Sequence, residues 1–157
     1  MIRVSTVFYA LAMTMLALTT ARGDWENTTW NMSPEQFAKS YPQAKFQPLE
    51  YKTIDSEVEY RMPYVFWDSP MAARFTFYNG KLKAVSLDAT TATDCDALMM
   101  KAVAKYGRSP DQFAGDIPII YHKWTYGTDE INFTGIKTHG SIAHCAMVFL
   151  SMTKWPE

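Results

Sequence analysis

The sequence predicts an α+β protein in which an antiparallel sheet carries helices on one face. Two segments have the caps and spacing of helices, several others alternate apolar and polar residues with the period of strands, and short turn sequences separate those strands. Connections this short leave no room for parallel crossovers, so the strands should pair antiparallel. The order of a helix followed by strands occurs twice, which predicts two tandem helix-plus-meander halves, at about residues 24–89 and 90–157.

The N-terminal segment has the pattern of a signal peptide. Arg3 is followed by an apolar run from Val7 to Leu18 and then by small residues. The run is about 12 residues long, shorter than the roughly 20 that a membrane-spanning helix needs. We therefore expect a cleaved leader at 1–23, one compact domain at 24–157, no stable membrane anchor, and a periplasmic or secreted location. A retained anchor is the alternative.

The composition argues against a nucleic-acid partner. The net charge of the whole chain is −1, and loss of Arg3 and Arg22 with the leader makes the remaining chain more acidic. A phosphate-binding surface needs a basic excess. Aromatic residues make up 15% of the chain, which is enough to build a core without a cofactor. We expect neither a cofactor nor a nucleic acid.

The first half begins with a short helix. Ser33 is a typical N-cap residue, Pro34 suits the first helical position, and Gln36 completes a capping box. These signals predict a helix from Pro34 to about Tyr41, which Pro42 ends.

Alternation predicts the strands of the first half. Val58, Tyr60 and Met62 alternate with charged residues, as in a half-buried strand. Further along, Asn79-Gly80 separates two alternating runs, and this dipeptide favours a two-residue type I′ turn. Pairing outward from the turn predicts one buried and one polar face. The buried face holds Phe75, Phe77, Leu82 and Ala84, and the polar face holds Arg74, Thr76, Tyr78, Lys81 and Lys83.

The second half begins with the clearest helix of the chain. Its apolar stripe, at helical spacing, consists of Cys95, Leu98, Met99, Ala102, Val103 and Tyr106. Thr93 or Asp94 can cap the start, and Gly107 followed by Pro110 ends the helix. Three strands should follow, at Tyr121–Tyr126, Glu130–Ile136 and Ile142–Met152.

The two cysteines are best explained as one disulfide. Cys95 lies on the helix stripe and Cys145 on the last predicted strand, and an oxidising compartment favours their pairing. The bridge would close a loop of about 50 residues, which the loop-entropy model values at roughly 4 kcal/mol. Both faces of the last strand are apolar, and we favour the face of Cys145, Met147 and Phe149 as the one that meets the helix. A reactive or metal-bound thiol is the alternative, but an apolar stripe supplies no basic partner and no cleft.

Histidines are the candidate residues for catalysis or metal binding. They are His122, His139 and His144. The last two are five residues apart, which fits neither a helical nor a strand pair of metal ligands, and no hydrolase, phosphate-loop or zinc-protease motif is present. We predict no catalytic site and no metal. A small exported hydrolase or metal-dependent enzyme that uses these histidines is the alternative hypothesis.

The candidate binding surface is a sheet face rich in basic and aromatic residues, a composition enriched at protein interfaces. It consists of Arg74, Thr76, Tyr78, Lys81, Lys83, Trp67, Trp124 and Tyr126. An ordinary solvated face is the alternative. The apolar segment from Tyr64 to Pro70 is either a buried strand or an exposed anchor. A small-ligand carrier, with a closed apolar cavity, is a third functional possibility.

Several short motifs resemble a known group of exported domains. They are W-x-M-S-P-E-Q-F at Trp30–Phe37, F-x-F-Y-N-G-K-L at Phe75–Leu82 and K-Y-G-R-S-P at Lys105–Pro110. Over most of the chain they are similar to small bacterial helix-then-meander domains, including β-lactamase-inhibitor-protein-like folds and the small lipoprotein of the outer-membrane barrel-assembly machinery. The chain lacks that lipoprotein's cysteine near the leader junction. The resemblance implies a sheet surface that binds another exported protein, as inhibitor or scaffold, without a cofactor.

Overall fold

The computed structural model describes residues 25, 28–47, 56–109, 111–113, 118–139 and 141–152, so the leader predicted at 1–23 lies outside the described residues. The described elements are two helices and eight strands. In chain order they are α1 (Pro34–Ser40), β1 (Lys45–Gln47), β2 (Ser56–Phe66), β3 (Ser69–Tyr78), β4 (Lys81–Ala89), α2 (Ala92–Tyr106), β5 (Asp111–Phe113), β6 (Ile119–Tyr126), β7 (Asp129–Thr138) and β8 (Ser141–Ser151).

The described strands form one antiparallel sheet in the order β1-β2-β3-β4-β8-β7-β6-β5. The last long strand of each predicted half, β4 and β8, meet at the centre of the sheet. The three-residue strands β1 and β5 lie at the edges. The α+β class and the antiparallel pairing predicted from the sequence are confirmed.

Side chains form rows across the sheet, and neighbouring rows lie on opposite faces because successive residues of a strand point in opposite directions. One row consists of Tyr60, Phe75, Val85, Phe149, Ile131 and Trp124. Apart from half-buried Tyr60, each of these side chains is at most 6% exposed. We call the side of the sheet that carries this row the core face.

The helix α1 begins as the sequence predicts and ends one residue earlier. The Ser33 hydroxyl accepts a hydrogen bond from the backbone N–H of Gln36, and the Gln36 side chain accepts one from the backbone N–H of Ser33 at 2.8 Å. Phe37, which is fully buried, packs against Phe75 with ring centroids 4.5 Å apart. The capping box therefore directs the start of a helix whose one buried residue contacts the core face.

The helix α2 begins earlier than predicted. Its N-cap is Thr91, in an extended conformation, whose hydroxyl accepts from the backbone N–H of Asp94; neither Thr93 nor Asp94 is the cap. The predicted disulfide between Cys95 and Cys145 is present, with the Cα atoms 5.6 Å apart. This bond attaches the first turn of α2 to β8.

Two hairpin turns have the same backbone conformation. The predicted turn at Asn79-Gly80 is present, with φ of 50° and 65°. A second turn at Trp67-Asp68 has φ of 48° and 63° and joins β2 to β3. The segment 64–70 is therefore a strand end, a turn and a strand start. Val65 is 66% exposed, whereas Tyr64, Phe66 and Trp67 are half-buried, so the segment is not a fully buried strand.

The pairing predicted for the β3–β4 hairpin is wrong beyond the turn. An irregularity in the register leaves Lys83 without a partner on β3, so Phe75 pairs with Val85 and Thr76 pairs with Ala84. One extra residue moves every later side chain to the opposite face. Ala84 consequently lies on the face opposite Phe75.

Candidate binding surface

The side of the sheet opposite the core face is lined by three rows of side chains. They are Arg61, Arg74, Ser86, Val148, Asn132 and Lys123; then Glu59, Thr76, Ala84, Leu150, Glu130 and Thr125; and then Pro63, Ala72, Asp88, Ala146, Thr134 and Tyr121. We call these three rows the open face. All of these residues except Glu59, Ala84 and Ser86 retain contact with solvent.

Arg74 and Asp88 form a two-point ion pair on the open face. Nε of Arg74 donates to Oδ2 of Asp88 at 2.5 Å, and Nη2 donates to Oδ1 at 2.8 Å and to the Ser86 hydroxyl at 3.2 Å. The hydrogen bond to Asp88 is the main reason that the pKa of Arg74 lies above the ordinary value of an arginine. A planar guanidinium held at two points is fixed in direction as well as in charge.

A second pair lies on β2, between Arg61 and Glu59. Nε of Arg61 donates to Oε1 of Glu59 at 2.5 Å. Glu59 is only 4% exposed, although the alternation along this strand predicts a solvated carboxylate. A carboxylate removed from water needs such a partner.

A third pair lies on the other half of the sheet, between Lys123 and Glu130, whose Nζ and Oε2 atoms are 2.6 Å apart. Asn132 donates to Glu130 at 2.9 Å and accepts from the Tyr121 hydroxyl at 2.8 Å. The hydrogen bond from Lys123, and then that from Asn132, lowers the pKa of Glu130. These contacts connect β6 and β7 through their side chains.

The centre of the open face is apolar. Ala84 and Leu150 pair across the β4–β8 contact, Val148 pairs with Ser86, and Ala146 pairs with Asp88. Val148, Leu150 and Ala146 are half-buried. The open face thus has an apolar centre with ion pairs on both flanks.

A groove of about 290 Å³, open to solvent, lies at one end of the open face. It is lined by Asp88, Ala89, Thr134, Ile136, His144, Cys145 and Ala146. Ile136 pairs across the strands with Ile119, and each of these two side chains is 44% exposed. The apolar surface therefore continues from the centre to this end of the sheet.

The structure places only part of the predicted binding surface on the open face. Arg74 and Thr76 lie there, and Tyr78 pairs with Lys81 beside the hairpin turn. Lys83 is only 4% exposed, and its Nζ donates to Oδ1 of Asn31 at 2.6 Å. Because of the irregularity in β4, Lys83 does not follow the alternation of buried and polar side chains that the sequence predicts. Burial is the main cause of the lowered pKa of Lys83.

The three predicted aromatic residues lie elsewhere. Trp124 is 4% exposed on the core face, and its indole N–H donates to the carbonyl of Gly107 at 2.9 Å. Trp67 and Tyr126 both contact Tyr106, at centroid distances of 6.2 and 5.8 Å. Burial raises the pKa of Tyr106 to about 12. These aromatic residues form a cluster at the end of α2, separate from Arg74.

The three histidines do not form a common site. His122 lies on the core face next to Trp124, whereas His144 is exposed and lines the groove on the open face. His139 lies in the turn between β7 and β8 with φ of 51°. Within the described ranges, no cluster of three or more histidine, cysteine or acidic side chains is arranged to hold a metal ion.

Sequence reasoning missed most of the open face. The sequence does not identify Asp88, Glu59, Lys123 and Glu130 as members of a surface, because their pairing depends on the register between strands. The one usable signal was on β8, where His144, Ala146, Val148 and Leu150 share a face and are mostly apolar. That pattern indicates a second apolar surface on a strand whose other face is already in the core.

Comparison of the chain with protein-family models, curated proteins and solved structures finds no match. Neither of the described helices is long and apolar enough to cross a membrane.

Proposed function

We propose that this chain is a non-catalytic exported module that binds another exported protein, as inhibitor or scaffold, through the open face. The observation that carries the proposal is the arrangement of that face, in which three ion pairs flank an apolar centre. Protein interfaces have this composition, with an apolar centre and a polar rim.

The size of the open face supports docking of a protein. The six long strands β2, β3, β4, β8, β7 and β6 are adjacent in the sheet. At about 4.8 Å between strands and about 3.3 Å per residue, they cover roughly 24 by 30 Å. The resulting area of about 700 Å² is close to the roughly 800 Å² that each partner buries in an interface of standard size.

The ion pairs support recognition because they hold their side chains in place before a partner arrives. Arg74 is fixed by Asp88 at two points, and Glu130 is bonded by both Lys123 and Asn132. Ordering a free side chain at an interface costs about 0.5–1.5 kcal/mol. Side chains that are already ordered avoid much of that cost and present a defined charge pattern.

The open face is free to bind only if the helices pack on the other side, and we propose that they do. Phe37 of α1 contacts Phe75, and Cys95 of α2 is bonded to Cys145, which follows the alternation of Met147 and Phe149 on the core face. Each half contributes four consecutive strands that run in order from one edge of the sheet to its centre, β1 to β4 from one edge and β5 to β8 from the other. This symmetry supports the proposal of two tandem halves. We also propose that the fold is similar to that of the β-lactamase-inhibitor-protein-like domains.

We place the protein in the periplasm or outside the cell. The disulfide between Cys95 and Cys145 is compatible with an oxidising compartment. The leader predicted at 1–23 supports the same location.

The test is capture of a partner from the exported fraction of the source organism, followed by measurement of affinity with purified components. Val148→Lys places an ammonium at the apolar centre and should weaken binding at least tenfold. The matched control is Met100→Lys on α2, where the side chain is 74% exposed and where the proposed arrangement of the helices puts it on the other side of the sheet. Circular dichroism checks that both variants fold. Equal affinity of the Val148 variant and the wild type contradicts the proposal, and so does an equal loss in the two variants.

A further inference from the structure

His122 is a buried histidine that packs against two aromatic rings of the core face. It is 8% exposed, its ring stacks on Trp124 at 5.7 Å with an angle of 13° between the planes, and its centroid lies 6.2 Å from that of Phe133. Its Nδ1 atom is buried and has no hydrogen-bonding partner among the described residues. Because buried polar atoms in folded proteins are nearly always paired, this atom requires a physical explanation.

The surroundings of His122 favour the neutral ring. A charged imidazole has two N–H donors and a full charge, and transfer of such a group into an apolar site is costly. Phe133 of β7 and Trp124 of β6 do not titrate. The turn after α2 is bonded to the two residues that follow His122 on β6, through the carbonyl of Gly107 and the hydroxyl of Ser109, and neither of these groups titrates.

The ionisable groups nearby do not offset a charge on the ring. Tyr106 contacts Trp124, and with a pKa raised to about 12 it stays neutral at physiological pH. Tyr121 and Lys123, the neighbours of His122 on β6, lie on the open face and are bonded there. Burial alone accounts for the lowered pKa of His122, so no described charged side chain contributes to it.

His122 lies near the edge of the sheet, and this position determines which strands could separate when it is protonated. Among the described strands, the three-residue β5 is the one that lies beyond β6. The turn after α2 is held to β6 by the bond from Trp124 to Gly107 and by Ser109, whose hydroxyl donates to the carbonyl of Lys123 at 2.8 Å and accepts from its N–H at 2.9 Å. Neither β5 nor β6 pairs with β3, β4 or β8, so separation of this edge would leave the pairing of those three strands intact.

We propose that His122 is an acid-sensitive latch, whose protonation favours a locally opened state in which β5, β6 and the turn after α2 separate from the sheet. In the opened state the imidazole is in water and binds a proton near its ordinary pKa of about 6.5, whereas the closed state binds one only at lower pH. The opening equilibrium is therefore unchanged well above pH 6.5 and rises by up to about tenfold for each pH unit below it. Tyr121 and Lys123 would leave the open face with β6, so acid would also release a partner; this consequence alone rests on the proposed function.

Amide hydrogen exchange of the purified protein at pH 7.5 and 5.5, corrected for the intrinsic effect of pH, tests the latch without any partner. Carboxylates of ordinary pKa stay ionised over this range, so they do not obscure the effect. Protection at residues 119–126 should fall by up to about tenfold at pH 5.5, while protection at residues 81–89 should change much less. In His122→Phe, which keeps an aromatic ring but cannot titrate, the fall should disappear.

Two further variants keep the test decisive. His122→Gln also cannot titrate and replaces the Phe variant if that protein does not fold. His144→Gln removes an exposed histidine and should keep the wild-type dependence on pH. The latch is refuted if the wild type shows no loss of protection at residues 119–126, or if the non-titrating variants lose as much as the wild type. Failure of Val148→Lys to weaken partner binding would refute the proposed function and leave the latch unaffected.

Discussion

Two neighbouring rows of the sheet, one residue apart along each strand, have different physical roles. The core row includes Phe75, Val85 and Phe149, none of them more than 6% exposed. The adjacent row on the open face has Arg74, Ser86 and Val148 at the corresponding positions, with the charge of the arginine paired. Hydrophobic burial scales with apolar area removed from water, whereas partly exposed ion pairs contribute little to stability. The core row therefore stabilises the fold, whereas the adjacent row contributes little to its stability.

The sharpest test of this difference compares adjacent residues of β3. Phe75 is fully buried and packs against the rings of Phe37, Trp25 and Tyr41, with centroids 4.5, 5.3 and 5.8 Å away. Phe75→Ala should lower the free energy of unfolding by about 3–5 kcal/mol, because it removes apolar contact and leaves a cavity. Thr76→Ala, on the open face, should change it by less than about 0.5 kcal/mol. Urea unfolding measures the free energy of unfolding of both variants. Losses of similar size would mean that the two faces contribute equally to stability.

The disulfide should have the next largest effect. The bridge between Cys95 and Cys145 closes a 50-residue separation. In the chain-entropy model, replacing both cysteines with alanine should cost about 4 kcal/mol, chiefly by releasing the unfolded chain. Urea unfolding should show a lower midpoint, together with a larger slope because the denatured state expands. A loss below about 1 kcal/mol would show that α2 is held to β8 by packing alone.

Local signals in the sequence predict the elements of the fold well. The capping box at Ser33, the Asn79-Gly80 turn and the stripe of α2 each depend on residues that are close together in the chain, and each is present. The pairing of Cys95 with Cys145 also follows from the sequence, since two cysteines in one chain allow a single intramolecular bridge.

Features that depend on distant contacts could not be predicted. The extra residue in β4 places Lys83 next to Asn31, more than fifty positions earlier in the chain. The turn at Trp67-Asp68 adopts a conformation that bulky residues disfavour, and it is supported by the Lys101 ammonium, which donates to the Trp67 carbonyl, and by Lys105 over the indole ring at 5.3 Å. Tertiary contacts therefore override local preference at this turn.

The candidate binding surface could likewise be predicted only in part, because most of its contacts join distant parts of the chain. The sequence predicts Arg74 and Thr76 on the polar face of a hairpin, because alternation next to a recognisable turn is enough to place them. Asp88 reaches Arg74 only through the shifted register of β4, and the pair of Lys123 and Glu130 requires the pairing of β6 with β7. A surface built from several strands is defined by registers, and those are not encoded in any one segment.

Substitutions on the two faces of β7 should show a smaller difference in their effect on stability. A Cβ atom added at Gly135 would lie 2.8 Å from Cγ2 of Ile142 and 3.3 Å from Cε1 of Phe133, both in buried side chains. Gly135→Ala should therefore cost about 1–3 kcal/mol through overpacking. Thr134→Ala, the adjacent exposed position on the open face, is the control and should be nearly neutral. Thermal unfolding distinguishes them, and an unchanged midpoint in the glycine variant would show that Ile142 moves aside freely.

The smallest effect should come from an ion pair of the open face. The pKa of Glu130 is lowered in the folded protein by Lys123 and Asn132, so on acidification the unfolded chain takes up the proton first. The stability that this carboxylate contributes is present above its ordinary pKa of 4.5 and is lost as the pH falls through the lower folded value. At pH 6, Glu130→Gln should be less stable than the wild type by no more than about 1 kcal/mol, since the pair is partly exposed. At pH 3 the two proteins should approach equal stability. Urea unfolding at both values measures the difference, with Lys123→Gln as the matched variant from the other side of the pair. A deficit of the same size at both values of pH would mean that the glutamate acts by packing, and the charge would then have no part in the stability of the open face.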